Sequence, residues 1–98
     1  MERHFKTEEF MTPLTGPIVI VFCPNKQVDG KDQPDYQKAE AFLITEKQAV
    51  VVGKEVWHWT PMPLENETSI ICSFAEDTQK YDLDVQSLPS GEVVQVVL

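Results

Sequence analysis

The sequence predicts an all-β fold in one domain that covers residues 1–98. Valine and isoleucine cluster in short stretches, and prolines and glycines punctuate them, which is typical of short strands joined by turns. The length of 98 residues suits a single core, and the 42% hydrophobic and 24% charged composition is that of an ordinary soluble domain. We therefore expect seven or eight strands in a small antiparallel barrel or sandwich, with at most one helical turn.

The first third of the chain predicts one turn, one strand and one loop. Residues 7–10, a threonine followed by acidic residues, are predicted to form a capped helical turn that Pro13 ends. Residues 17–23 form a continuous apolar run, which predicts a strand covered on both faces. Residues 24–34 are polar and contain Asn, Asp and Gly, so they are predicted to be a long loop.

The rest of the chain predicts further strands. These are expected at residues 39–45, 48–52, 55–59, 67–74 and 93–98. In residues 81–85 apolar side chains alternate with Asp82 and Asp84, which predicts a half-buried strand whose two carboxylates lie on a solvated outer face. Residues 89–91 are predicted to be a turn.

The charge balance excludes several classes of partner. Eight basic and sixteen acidic residues give a net charge of −8, so nucleic acid and anionic membrane surfaces are not expected as partners. No apolar run is long enough to span a bilayer and no signal peptide is visible, so we expect a cytoplasmic protein. In that compartment Cys23 and Cys72, both in apolar runs, are expected to be buried free thiols rather than a disulfide.

The scarcest residue types lie in two short segments. The only arginine, Arg3, stands between Glu2 and His4, and in an extended chain Glu2 and His4 share the face opposite Arg3. The other histidine, His58, similarly opposes the two tryptophans that flank it. Glu2, His4 and His58 could form a two-histidine, one-carboxylate set for a divalent metal or for acid–base chemistry. The alternative is that both segments are solvated, with the tryptophans filling the core.

Several motifs, in order, resemble the ureidoglycolate lyase family. They cover most of the chain from Glu2 to Phe74. The motifs are Glu2-Arg3-His4, Phe10, Pro13-Leu14, the strand at residues 18–22, Pro34-Asp35, Ala41-Phe42-Leu43, Gln48 and Val56-Trp57-His58.

This resemblance implies a cupin fold, a double-stranded β-helix barrel, and cleavage of ureidoglycolate to glyoxylate and urea in purine (allantoin) breakdown. Carried over by position, His4 and His58 are the acid–base or metal-binding candidates and Glu2 orients a histidine or ligates a metal. Arg3 is expected to hold the carboxylate of a small metabolite. The cofactor stays unknown, with a divalent metal as the candidate. The family's enzymes carry a further stretch before the Glu-Arg-His segment. A barrel without those strands leaves an open edge, so we expect a homodimer.

The departures from the family pattern keep two alternatives open. Trp59 replaces the family's second histidine, its proline arrives late at Pro61, and residues 49–52 and 69–74 lack the family's polar side chains. The chain could therefore be a non-catalytic cupin that binds a small carboxylate, with Trp57 and Trp59 as an apolar wall of the binding site. It could also be a structural module without a usable cavity.

Overall fold

The computed structural model describes residues 1–98 and is all-β, as predicted. The predictions of seven or eight strands and of at most one helical turn are wrong, because the structure has eleven strands and two short helical turns, a 3₁₀ turn at Tyr36–Lys38 and α1 (Thr78–Tyr81). Neither helical turn has the length or apolar character needed to cross a membrane. The strands are β1 (Glu2–Arg3), β2 (Glu9–Pro13), β3 (Ile18–Cys23), β4 (Asn25–Val28), β5 (Lys31–Pro34), β6 (Glu40–Ile44), β7 (Val50–Val52), β8 (Trp57–His58), β9 (Met62–Pro63), β10 (Ile70–Ser73) and β11 (Asp84–Val85).

The strands form two antiparallel sheets and one hairpin. The large sheet has the order β11-β1-β8-β3-β6, and β9 also pairs with β3. The small sheet has the order β10-β2-β7, and β4 pairs with β5 alone. The two sheets do not close on each other, so the structure has open edges at β6, β7, β10 and β11.

The core is divided by β3, which is buried on both faces, as its continuous apolar run predicts. Ile18 and Ile20 pack against Met11 and Val52 of the small sheet. On the opposite face, β3 contributes to a second cluster, whose buried members are Met1, Val21, Cys23 and Trp57. The large sheet therefore has an inner face that looks toward the small sheet and an outer face with a core of its own. These two names are used below.

The predicted helical turn at residues 7–10 is wrong. Residues 9–13 form β2, the central strand of the small sheet, in which Glu9, Met11 and Pro13 are buried and Phe10 is exposed. Burial that alternates with a period of two is a strand pattern, and pairing with β7 and β10 outweighs the local preference of Thr and Glu for a helix start.

The predicted loop at residues 24–34 is also wrong, because it is the β4–β5 hairpin. Asp29 and Gly30 form its turn, with φ angles of 53° and 77°. An Asp-Gly pair adopts these left-handed angles readily, and such a turn suits the twist of two paired strands. The polar composition of the hairpin reflects its exposure rather than an irregular backbone.

The structure of the C-terminal residues differs from two further predictions. In residues 81–85 the faces are reversed, since Asp82 is buried whereas Tyr81, Leu83 and Val85 are exposed. The segment begins inside α1 and only Asp84–Val85 pair as a strand. Residues 93–98 form no strand. Predicted strands at 39–45, 48–52 and 67–74 are confirmed as β6, β7 and β10, and the turn at 89–91 is confirmed at residues 90–91.

The two cysteines are free, as expected, but only one of them is buried. Cys23 lies in the core of the outer face, where burial raises the pKa of its thiol to about 11. Cys72 is an exposed residue of β10, so the prediction of two buried thiols is half wrong.

Candidate functional site

Two short strands bring the sequence-predicted polar residues together. In the pairing of β1 with β8, Glu2 lies opposite His58, and His4 follows Glu2 on the same side. One ligand atom from each of Glu2, His4 and His58 lies within 4.8 Å of those of the other two. The alternative that these segments are solvated is wrong, because both histidines are buried, His4 at 3% and His58 at 1% exposure.

Both imidazole rings are held by their Nδ1 atoms. His4 Nδ1 lies 2.8 Å from the carbonyl oxygen of Asp82, and His58 Nδ1 lies 2.9 Å from that of Val56. A carbonyl oxygen can only accept, so each Nδ1 donates a proton and each neutral ring keeps its lone pair at Nε2. The ring centroids lie 5.5 Å apart. This tautomer is the one in which Nε2 can bind a metal ion or accept a proton.

A buried carboxylate, Glu9, completes the cluster, and it was not among the site residues predicted from the sequence. Its Oε2 atom lies 3.1 Å from His58 Nε2 and 3.7 Å from His4 Nε2. Its Oε1 atom accepts a hydrogen bond from the Cys72 thiol at 3.0 Å. A prediction of residues 9–13 as a strand would have found Glu9, since it then lies on the same buried side of β2 as Met11.

Three buried polar atoms converge here without a hydrogen-bond partner in the protein: His4 Nε2, Glu9 Oε2 and His58 Nε2. The 3.1 Å approach of Glu9 to His58 is a charge contact whose angle is not that of a hydrogen bond. Buried polar groups are normally satisfied, so three unsatisfied atoms in one place indicate a site for a polar ligand or a cation.

The electrostatics favour a charged Glu9–His58 pair. Burial alone would lower the pKa of His58, but the neighbouring carboxylates of Glu9 and Glu2 and the Val56 carbonyl outweigh it and raise that pKa. Burial alone would raise the pKa of Glu9, but His58 and the Cys72 thiol outweigh it and lower that pKa. Burial and the Glu9 carboxylate raise the pKa of the Cys72 thiol to about 12, so the thiol stays protonated as a donor.

The cluster opens into a cavity of about 310 Å³ between the two sheets. Glu2, Glu9 and His58 supply its carboxylate and imidazole groups, and Met11 and Ile70 supply part of its apolar wall. The remaining lining residues are Thr60, Pro61, Cys72, Phe74 and Gln79. A cavity with a few convergent polar groups and an apolar wall is the usual form of a small-molecule site.

Arg3 and Trp57, which were predicted to bind substrate, lie on the other side of the same strands. The Arg3 guanidinium pairs with Asp84 at 2.8 Å and with Asp32 at 3.1 Å. Its Cζ atom also lies 4.3 Å from the centre of the Trp57 ring. Trp57 is fully buried and its indole N–H donates to Asn25 at 2.9 Å. A carboxylate-binding role for Arg3 stays a prediction, and it would require both aspartates to release the guanidinium.

Trp59 lies at the margin of the site. It is half-buried and lines, with Glu2 and His58, a depression of about 160 Å³. Its ring also lies 6.1 Å from that of Tyr36. It is therefore the one tryptophan placed near the predicted catalytic groups.

The prediction that Asp82 and Asp84 lie on a solvated face is wrong, because both carboxylates bind protein groups. Asp82 accepts hydrogen bonds from the backbone N–H groups of Phe5 and Lys6, and these bonds lower the pKa of its carboxyl group. Asp84 holds Arg3. The two aspartates therefore fix the N-terminal segment in place instead of facing solvent.

Comparison with known proteins gives one match. The sequence model of the family described as ureidoglycolate lyase matches residues 1–96. No curated protein and no solved structure matches the chain.

Proposed function

The chain belongs to the ureidoglycolate lyase family, and we propose that it cleaves ureidoglycolate into glyoxylate and urea, or cleaves the corresponding bond of a closely related small carboxylate. The observation that carries this proposal is the convergence of His4, His58 and Glu9 through unsatisfied buried atoms, of which those of Glu9 and His58 belong to residues that line a cavity. The cavity lies at the lower end of the usual volume range for small-molecule sites, which suits a small metabolite.

The reaction requires two proton transfers. A base removes the hydroxyl proton, the carbonyl of glyoxylate forms as the C–N bond breaks, and the leaving nitrogen receives a proton to give urea. His4 is the base in this proposal, and because it does not line the cavity itself, its Nε2 atom takes the proton through Glu9, whose Oε2 atom lies 3.7 Å away and which does line the cavity. His58, whose pKa is raised, donates the proton to the leaving nitrogen, and Glu9 stabilises the charged form of His58.

The substrate carboxylate needs a positive partner, and Arg3 does not supply one at the cavity. Two carboxylates, Glu2 and Glu9, already stand there. The donor set fits a divalent cation, because the unsatisfied Nε2 atoms of His4 and His58 and the nearby Glu2 carboxylate are nitrogen and oxygen ligands. A cation held by Glu2, His4 and His58 would occupy both Nε2 atoms, so it is an alternative to the acid–base roles of the two histidines, and it would supply a Lewis acid and a counter-charge for the substrate.

The cupin-type barrel and the homodimer belong to the same proposal. Sheet edges left unpaired are commonly covered by another chain. The edge strand β6 exposes Phe42 at 46% and Leu43 at 51%, which supports a second copy of this chain as the partner. Light scattering after size-exclusion chromatography tests this, and a monomer at all concentrations would contradict it. A cytoplasmic location stays a prediction.

A second candidate is binding of a small carboxylate without turnover. The engagement of Arg3 by two aspartates favours binding without turnover over catalysis, since no free guanidinium holds the substrate carboxylate in the orientation that the reaction needs. In that case small carboxylates raise the melting temperature and no glyoxylate is released. A purely structural role predicts neither glyoxylate release nor a rise in the melting temperature.

The deciding experiment is glyoxylate release from ureidoglycolate, above the spontaneous rate, with chelator and with added Mn²⁺, Ni²⁺ or Zn²⁺. We expect turnover in the unmodified protein and its loss in His58→Ala. Gln79→Ala is the matched control, because Gln79 lines the same cavity but carries no ionisable group. Absence of turnover under every metal condition would contradict the lyase proposal, and turnover retained by His58→Ala would contradict the role of His58.

A further inference from the structure

The two histidines of the site are held in different ways. His58 Nδ1 donates to the carbonyl of Val56, two residues earlier in the same segment. His4 Nδ1 donates to the carbonyl of Asp82, which lies 78 residues further along the chain. The orientation of His58 is therefore set locally, whereas that of His4 depends on a distant segment staying in place.

Asp82 holds the segment around His4 at three points. Its carbonyl oxygen accepts the Nδ1 proton at 2.8 Å. Its two carboxylate oxygens accept the backbone N–H groups of Phe5, at 2.9 Å, and Lys6, at 2.8 Å. Only an ionised carboxylate has an acceptor for both amides and no competing donor. These two amides directly follow His4, so the carboxylate fixes the backbone that carries the ring.

Asp82 is itself fixed at the end of α1. Its backbone N–H donates to the carbonyl of Thr78 at 2.9 Å, and Thr78 is only 2% exposed. The Thr78 hydroxyl donates in turn to the carbonyl of Ala75 at 2.6 Å. Asp82, at 7% exposure, is therefore a buried anchor on a short helical turn rather than a mobile side chain.

We infer that Asp82 is a positioning residue, which holds the His4 ring with Nδ1 as a donor to the Asp82 carbonyl and with Nε2 directed at Glu9. The expected effect of Asp82 on catalysis rests on the proposed lyase function. The effect of Asp82 on the orientation of His4 does not depend on that function. Groups that orient a metal-binding or catalytic histidine through its second nitrogen are typically worth about 10–100-fold in affinity or activity.

The test is Asp82→Asn, which keeps the size and the backbone carbonyl of Asp82 but leaves one of the two amides facing an NH₂ group. In the unmodified protein without substrate or metal, ¹⁵N NMR of the imidazoles should show that the neutral form of His4 carries its proton on Nδ1. In Asp82→Asn we expect a mixture of both His4 tautomers and an unchanged His58. Glyoxylate release should fall by about 10–100-fold.

Asp84→Asn is the matched control. It removes a carboxylate two residues away that pairs with Arg3 and does not touch His4. We expect Asp84→Asn to lower stability while the His4 tautomer stays fixed. A His4 tautomer unchanged in Asp82→Asn, or equally mixed in Asp84→Asn, would overturn the inference even if the protein has no lyase activity.

A measurement on the unmodified protein keeps the inference testable if Asp82→Asn does not fold. Hydrogen exchange should show the amides of Phe5 and Lys6 protected, although both residues are exposed at the surface. The amide of Glu8, for which the structure gives no backbone acceptor, should exchange quickly and serves as the internal reference. Exchange of Phe5 and Lys6 as rapid as that of Glu8 would show that Asp82 does not hold this segment.

Discussion

The two faces of the β1–β8 pair treat their polar side chains in opposite ways. On the outer face, Arg3 has two carboxylate partners and an aromatic ring beside it, so the buried cation is satisfied. On the inner face, His4 and His58 meet Glu9 of the small sheet, and each of the three side chains has an atom without a hydrogen-bond partner. Neighbouring positions on β1 and β8 therefore have different roles. A buried polar group whose hydrogen bonds are satisfied contributes to stability, whereas one without a partner is available to a ligand.

The largest effect should come from breaking the outer face. Trp57→Ala removes a fully buried indole and leaves a cavity beside Val21, so we expect a loss of about 3–5 kcal/mol in the free energy of unfolding. Urea denaturation followed by circular dichroism measures it. Trp59→Ala, at a half-buried position, should cost clearly less, and equal losses in both variants would contradict this view of the outer face.

A substitution on the inner face should lower activity strongly and stability only slightly. Glu9→Gln keeps the size of the side chain but removes the charge that stabilises protonated His58, so we expect glyoxylate release to fall about 100-fold. Above the unperturbed pKa of histidine the free energy of unfolding should change by less than about 1 kcal/mol, because His58 can lose its proton once Glu9 is neutral and no unpaired charge stays buried. A large loss of stability with normal activity would assign Glu9 to the structure instead of the site.

A smaller effect is expected for the ion pairs of Arg3. Arg3→Met should cost about 1–2 kcal/mol in the free energy of unfolding, less than for a fully buried pair because the Asp84 side chain is 28% exposed. Adding Asp84→Asn to Arg3→Met should recover part of the loss, since it removes the unpaired carboxylate. If the double variant is less stable than Arg3→Met, Asp84 has a further role that the salt bridge does not explain.

The smallest effect is the pH dependence of stability from the Glu9–His58 pair. The pKa of His58 is raised from 6.5, so its contribution is complete below about pH 6.5 and is lost as pH rises through the raised value. The pKa of Glu9 is lowered from 4.5, so its contribution is complete above about pH 4.5 and is lost as pH falls through the lowered value. Urea midpoints of the metal-free protein should show a contribution that is greatest between these two pH values and absent in Glu9→Gln.

Alternation along short strands predicted much of the inner face from the sequence. It placed Glu2 and His4 on one side and Arg3 on the other, and it set His58 opposite Trp57, all of which the structure confirms. The apolar run of β3 also predicted its burial on both faces. These features follow from the local geometry of an extended chain.

Features that depend on distant partners were not predictable in this way. Glu9 was assigned to a helical turn because the local sequence suits one, and only the pairing of β2 with β7 and β10 makes it a strand. Asp82 was assigned to a solvated face, since nothing near it in sequence shows that its acceptors meet the amides of Phe5 and Lys6. The sequence pattern alone does not carry that information.

The position of β1 also has a kinetic consequence. This strand, followed directly by His4, pairs only with β8 and β11, which both lie in the second half of the chain. Contacts of such high sequence separation form only after large loops have closed, so they slow folding and are expected to appear late. The site should then be assembled in the last part of the folding reaction. A ligand that binds between the sheets should lengthen the lifetime of the native state more than it accelerates refolding.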